Sequence, residues 1–352
     1  MEVRLSGGDD RNLMERLLEK QIPLSNSCNG KGTCGKCKVR VVSGTITDVT
    51  DTERRLLTEK EVAGRMRLAC MTKARGEVVI ETGEGEEDHV FTTGGVEGHF
   101  KRDADKHGYG LAVDIGTTTV VATLVNMDDG TEGATYAQIN PQKTYGLDVL
   151  TRITYETEYK ERAITQLQEA IVHGLNEATK GICAEAGIDV TQIGEIDIAA
   201  NCTMLHMLAG VDARPIGRAP YKPAFTDGQK LKARDLGLMG AADAMVYLLP
   251  SVSAYIGADI VAGVYVCDLR HSPGKTLFID IGTNGELVLE AGGKMYSCSC
   301  AAGPALEGMN ITSGMRAAKG AVEDVHIGPD GIRLDVIGKG KPHGLCGSGI
   351  LA

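Results

Sequence analysis

Four cysteines carry the plainest chemistry in this 352-residue sequence: Cys28, Cys34 and Cys37 in SNSCNGKGTCGKCKV, and Cys70 in RLACM. Their spacing, C-x5-C-x2-C-x32-C, gathers three thiolates on one tight loop and takes a fourth from a distant strand. A [2Fe–2S] cluster asks for that arrangement, because its two irons need four thiolates and a C-x4-C-x2-C…C run is one known way to supply them. Glycines at 30, 32 and 35 suit a loop wrapped around a cluster, where positive φ turns backbone N–H groups inward toward sulfur. Structural zinc is the competing chemistry, but zinc ribbons supply two C-x2-C knuckles and one such pair is present. Gly30-x4-Gly35-Lys36 imitates a P-loop. Cys37 stands where a magnesium-binding Ser or Thr belongs, and no strand or helix is expected to flank it.

A second chemistry is written twice. LAVDIGTTTVVATLV (111–125) and LFIDIGTNGELVLE (277–290) share the pattern apolar-apolar-Asp-Ile-Gly-Thr. In each, an aspartate, Asp114 or Asp280, ends an expected strand and a Gly-Thr turn follows. The N–H groups of such turns cradle phosphate oxygens, and the aspartate holds Mg2+ through water. Gly116, Thr117 and Thr118 in the first copy, with Gly282 and Thr283 in the second, are placed to clamp the β- and γ-phosphates of ATP from both sides of a cleft. In GLCGSGIL (344–351), Gly347 and Gly349 stand at an expected helix start, where glycine allows an adenosine to approach closely. Asp259 and Glu286 are further candidates for a magnesium or water contact.

The elements that must position these residues fall into two styles. Residues 1–80 read as small α+β, with a strand in MEVRL and a helix over Arg11–Lys20 capped by Asp9 or Asp10. A strand KVRVV (38–42), a helix over Thr52–Val62 capped by Asp51, and strands RLACM and EVVIE follow. Glycine and charge are dense over 84–108, which is linker composition. From 109 onward each Asp-Ile-Gly-Thr copy forms a hairpin, and helical stretches are expected over 161–186 and 254–268. Cys298-Ser-Cys300 alternates on an expected strand, so both thiols share one face. They are read, with Cys183, Cys202, Cys267 and Cys346, as buried small hydrophobes. His206, in the apolar run NCTMLHML, is read as a hydrogen-bonded core histidine, and Arg214 and Arg218 either as phosphate- or partner-binding groups or as surface ion-pairing residues.

Asp114-Ile-Gly-Thr, Asp280-Ile-Gly-Thr and Gly347-Ser-Gly resemble the phosphate-1, phosphate-2 and adenosine motifs of the acetate and sugar kinase, heat-shock chaperone and actin superfamily. The cysteine loop, one residue longer than the plant-type spacing, resembles the adrenodoxin-like branch of ferredoxins. NCTMLHMLAGVD (201–212), LPSVSAYIGADIVAGV (249–264) and AAGPALEG (301–308) resemble segments of the reductive activators of corrinoid enzymes. That resemblance implies a ferredoxin-like β-grasp domain over 1–83, a linker over 84–108, and duplicated α/β lobes of the actin/sugar-kinase-like (RNase H-like) kind over 109–205 and 206–352. The second lobe is expected to be incomplete, since the sequence stops inside or just after the adenosine motif. The implied activity is ATP-linked, one-electron reduction of a Co(II) corrinoid to Co(I). The implied partners are a corrinoid protein or corrinoid-dependent methyltransferase and an upstream low-potential electron donor, with a homodimer left open. A ferredoxin-fused small-molecule kinase and a non-enzymatic electron-carrier or redox-sensing module are the alternatives.

Composition narrows the class. Hydrophobic residues at 42% and charged ones at 24% describe a globular chain rather than a disordered one. A formal net charge of −10 argues against a surface built to track nucleic-acid phosphates. No apolar run reaches membrane-spanning length and MEVRLSGGDD lacks a secretory pattern, so a cytoplasmic location is expected, with no membrane partner. Residues 1–80 hold 15 Lys and Arg against 11 Asp and Glu, leaving the excess negative charge to the rest of the chain. Lys31, Lys36, Lys38, Arg65 and Arg67 lie near the cluster ligands in sequence and are read either as steering groups for an acidic partner or as an ordinary solvated face.

Overall fold

The computed structural model describes the chain except residues 21, 23, 25–29, 31, 33–34, 36, 83–102, 104, 283, 302–312, 316–318, 330 and 352. Cys28, Cys34, Lys31, Lys36, Thr283 and most of the expected linker therefore lie outside the described residues. The chain divides into two compact units, Met1–Asp88 with Gln142–Arg152, and His89–Pro141 with Ile153–Ala352.

In the first unit, β1 (Glu2–Leu5), β2 (Lys38–Ile46), β3 (Met66–Leu68) and β4 (Ala74–Thr82) form an antiparallel sheet in the order β1-β4-β2-β3. Helix α1 (Leu13–Glu19) adds Leu13 and Leu17 to a core with Leu5, Val39, Val41, Leu68, Val78 and Ile80. Each fully buried aliphatic side chain contributes about 1.5–3 kcal/mol. The expected cap at Asp9 or Asp10 is corrected to Asn12. Its side chain accepts from Glu15 N–H while Glu15 accepts from Asn12 N–H, a reciprocal pair that Asp9 or Asp10 would be too early to make. Asp9 instead pairs with Arg11 and Arg16. The single helix expected over Thr52–Val62 is two, α2 (Asp51–Leu56) and α3 (Glu59–Ala63). Leu57 is extended, and Thr50 and Thr58 each open a helix in reciprocal hydrogen bonding with Glu53 and Glu61, so Thr50 rather than Asp51 is the cap.

The second unit begins with the first hairpin, β5 (Tyr109–Ile115) and β6 (Thr119–Asn126), followed by β7 (Thr131–Ile139). After α4 (Val149–Tyr159) and α5 (Glu161–Ala186) comes β8 (Ile193–Ala200), which lies parallel to β5. Buried Ala163, Leu167, Ile171, Leu175, Ala178 and Ile182 recur at helical spacing and form the inner face of α5. Beyond α6 (Cys202–Ala209), β9 (Gln229–Lys232), α7 (Ala233–Leu236) and β10 (Met245–Leu248) complete a six-stranded sheet, β7-β6-β5-β8-β10-β9. The sheet thus runs past residue 205, the expected end of the first lobe. β10 pairs parallel with β8 once α6 has carried the chain back, a register that single-strand patterns do not reveal.

Helix α8 (Ala258–Val266) leads to the second hairpin, β11 (Thr276–Ile281) and β12 (Asn284–Ala291), with β13 (Lys294–Ala301) beside it. A third sheet, β15-β14-β16, comprises β14 (Ala321–Gly328), β15 (Gly331–Val336) and β16 (Gly344–Leu345), followed by α9 (Gly347–Leu351). Cys183, Cys202 and Cys346 are buried as expected, whereas Cys267, Cys298 and Cys300 are exposed. The reason for the last two is visible on β11, where Leu277, Ile279 and Ile281 are also about half exposed. That face of the three-stranded sheet is uncovered by the described residues.

Candidate cluster and nucleotide sites

Cys37 ends the cysteine loop just before β2, and Cys70 follows β3, so adjacent strands deliver both thiols. Their sulfurs are 3.3 Å apart and both residues are buried. That separation is too long for a disulfide, near 2.04 Å. It lies close to the roughly 3.8 Å edge of a tetrahedral metal with ~2.3 Å metal–sulfur bonds. Gly30, Gly32 and Gly35 all have positive φ, at 78°, 70° and 67°, as a loop folded around a cluster needs. The described half of the ligand set therefore fits a cluster, and Cys28 and Cys34 are outside the described residues.

Among the described residues, the basic groups read as steering groups or as a solvated face, Lys38, Arg65 and Arg67, are all engaged. Arg67 is buried and forks onto the Glu53 carboxylate at 2.9 Å through both Nε and a terminal nitrogen, while also donating to the Thr47 and Asp48 carbonyls. Glu53 further accepts from Leu68 N–H and the Thr72 hydroxyl. Burial alone would push its carboxyl up, but the Arg67 fork and the Thr50 and Leu68 N–H groups outweigh it and hold it at about 2. Lys38 pairs with Glu61 at 2.6 Å, and Arg65 donates to the Val42 and Gly44 carbonyls. The steering role is thus withdrawn for Arg67, which locks the loop before α2 to β3.

In the second unit the two hairpins bring acid together. Asp114 and Asp280 are each the penultimate residue of the first strand of their hairpin. Asp114 is an exposed residue, yet the protein packed around it weakens the hydration of its carboxyl. The loss of water, with the charges of Asp259 and Asp280, raises it to about 6. Burial also raises Asp280, and Asp259 against the help of Ile260 N–H, with Asp280 adding to the rise of Asp259. Glu286 is raised by burial and by Asp259 and Asp280, although the Ser299 hydroxyl donates to it at 2.9 Å. Asp259 and Asp280 thus disfavour the charge of both Asp114 and Glu286, so added negative charge is unwelcome here and a cation would relieve it.

The first turn is braced on two sides. The Gly116 carbonyl accepts from Asn140 Nδ2, the Thr118 carbonyl from Asn140 N–H, both at 2.8 Å, and Thr117 Oγ1 accepts from Asn201 Nδ2 at 3.0 Å. In the second turn Gly282 N–H donates to the Asn284 carbonyl, and Thr283 lies outside the described residues. Gly347 opens α9, but Gly349 is buried against β14, where a Cβ would fall on the Val322 carbonyl. Close packing therefore accounts for Gly349. Asn140 and Asn201 were not among the expected site residues. Asn201, just before a helical run, carries a capping signal, but nothing local marks Asn140.

His206 is a core histidine. Its Nδ1 donates to the Cys202 carbonyl at 2.7 Å and its Nε2 accepts from Ala224 N–H at 3.0 Å, so the neutral ring is the form that fits. Burial lowers its pKa in agreement. Arg214 forks onto Asp212 as an ion pair.

Comparison with known protein families decides what this assembly is. The family model described as the RACo middle region matches residues 109–272, and that for the C-terminal domain of RACo, the ASKHA domain, matches 274–352. A 2Fe-2S iron–sulfur cluster binding domain matches residues 2–75.

The chain belongs to the RACo family.

It combines that family's ASKHA module with an N-terminal [2Fe–2S] domain. Its relatives include the corrinoid activation enzyme RamQ of Eubacterium limosum, 36% identical over 249 residues that cover 71% of this chain and 42% of RamQ. The [Co(II) methylated amine-specific corrinoid protein] reductase of Methanosarcina barkeri is 25% identical over 226 residues, 62% of this chain and 40% of that protein. The chain thus spans about two fifths of the length of these curated RACo-like relatives. A solved structure titled as a reductive activator for corrinoid, iron–sulfur protein superposes with a TM-score of 0.64 at 29% identity, covering 99% of this chain and 69% of that one. Among the described residues no helix is long and apolar enough to cross a membrane.

Proposed function

We propose that this chain belongs to an ATP-linked reductive activator that returns a Co(II) corrinoid to Co(I) by one-electron transfer. The observation that carries this reading is the buried Cys37–Cys70 thiol pair in a [2Fe–2S] domain joined to both RACo regions. The names of the relatives, one a corrinoid activation enzyme and one a Co(II) corrinoid-protein reductase, support the same partner. Cys28, Cys34, Cys37 and Cys70 hold the cluster, which when bound supplies the one-electron donor; an upstream low-potential donor restores it. Asp114 and Asp280, with Asp259 and Glu286, hold Mg2+ and its water. Gly116, Thr117, Thr118, Gly282 and Thr283 receive the phosphates of ATP, and Gly347 faces the nucleoside. The partner is a corrinoid protein or corrinoid-dependent methyltransferase.

An energy-coupled clamp has a physical purpose beside such a donor. A plant-type cluster sits near −400 mV, and each 100 mV of uphill transfer costs about 2.3 kcal/mol per electron. A nucleotide that prefers one lobe arrangement can offset a cost of that size. The test begins with the visible spectrum of anaerobically purified protein before and after dithionite. Broad absorption that bleaches on reduction establishes the donor, and the Co(II) signal of a corrinoid protein is then followed with and without ATP. A colourless, zinc-containing protein even after iron and sulfide reconstitution removes the donor and the reading with it.

A further inference from the structure

The turn after Asp114 is held by residues outside its own motif. Asn140, fully buried at the end of β7, spends its side-chain N–H on the Gly116 carbonyl and its main-chain N–H on the Thr118 carbonyl, each at 2.8 Å. In a planar trans peptide the C=O of one residue and the N–H of the next point in opposite directions. Drawing the Gly116 carbonyl toward Asn140 therefore turns the Thr117 N–H away from β7. Asn201 acts on the same residue from another side. Its Oδ1 accepts from Met204 N–H at the start of α6, and its Nδ2 donates to Thr117 Oγ1 at 3.0 Å. A hydroxyl oxygen that accepts from an amide directs its own proton elsewhere. The two asparagines meet on α6, since Asn140 Nδ2 also lies 3.7 Å from Met204 Sδ.

We infer that Asn140 and Asn201 are positioning residues that hold the Gly116–Thr118 turn in the geometry that receives the terminal phosphates of a magnesium–nucleoside triphosphate. The inference rests on the nucleotide reading proposed above and deepens it. Neither asparagine touches the nucleotide; each acts through the turn, Asn140 on the Gly116 and Thr118 carbonyls and Asn201 on the Thr117 hydroxyl. A turn held in one geometry before the ligand arrives loses little free energy to reorganisation when phosphate charge enters. The acid cluster supplies the complementary part, because Mg2+ neutralises the carboxylates that would otherwise repel the phosphates.

The variants separate this role from support of the fold. Asn201→Ser keeps a good helix cap for Met204 N–H and deletes the amide that reaches Thr117. Asn140→Ala frees the Gly116 carbonyl while leaving the main-chain bond to Thr118, and Asn140→Ser replaces it should the alanine variant fail to fold. Isothermal titration of the full chain with Mg·ATP and with AMP is the readout, alongside thermal melting. The expected result is Mg·ATP binding weakened roughly tenfold in each variant, the size of one charge-assisted hydrogen bond, with AMP affinity unchanged. Unchanged Mg·ATP affinity in either variant, or equal weakening for ATP and AMP, overturns the inference. Failure of the unmodified chain to bind Mg·ATP at all is a different result, which overturns the nucleotide reading itself.

Discussion

Glu53 in the N-terminal unit and Asp114 in the second unit both lose water to surrounding protein, and they answer that loss in opposite ways. Glu53 is enclosed with its counter-charge, six hydrogen-bond donors converging on one carboxylate, and is held at about 2. Asp114 is crowded by Asp259 and Asp280 and rises to about 6. A carboxylate that is already paired serves the fold. One crowded by its own kind costs the fold stability, which is the pattern of a site that serves chemistry rather than the fold.

The largest effect should come from breaking the satisfied pair. Arg67→Met leaves Glu53 buried without its partner and should destabilise the N-terminal unit by about 3–5 kcal/mol in urea melts. A loss below about 1 kcal/mol would mean that the pair contributes little and that the contrast is false. The pair also sets a pH window. Glu53 is depressed in the folded chain, so the stability it confers is fully present above its ordinary value of 4.5 and lost as pH falls through about 2. In acid melts, Arg67→Met should flatten that part of the curve.

Removing a crowded charge should work the other way. Asp114→Asn is expected to raise the melting temperature in chelator at pH 8, since it relieves repulsion from Asp259 and Asp280. The same change should weaken Mg·ATP about 30-fold, the equivalent of ~2 kcal/mol. A variant less stable in chelator would show that Asp114 supports the fold and not a ligand. The smallest effect is expected at the rim, where Ser299 already shares Glu286. Glu286→Gln should cost Mg·ATP about threefold in affinity, measured by the same titration.

Much of this was legible in the residues because chemistry with fixed spacing leaves a local trace. Four thiolates around a cluster dictate the cysteine intervals, and a strand that ends on aspartate before Gly-Thr is written in six consecutive residues, twice. The hairpins of 111–125 and 277–290 and the helix over 161–186 formed where expected. What escaped depends on contacts between distant segments. Arg67 looked like a surface cation because nothing near it in sequence shows that Glu53 closes over it. Asn140 drew no reading at all, because its two carbonyl partners lie more than twenty residues earlier. The sheet that runs on through β10 and β9 escaped for the same reason, since strand order is decided by packing after α6 and not by alternation within a strand. Helix starts were missed by one or two positions, because Asp is as good a cap as Asn or Thr until the glutamate three residues later selects between them.

The joint between α9 and β14 has a mechanical consequence. At Gly349 the helix meets the Val322 carbonyl with room for a hydrogen atom and nothing larger. A joint with no clearance transmits displacement without slack, so any shift of β14 carries the first turn of α9 with it, and one added methyl group would act as a wedge between them.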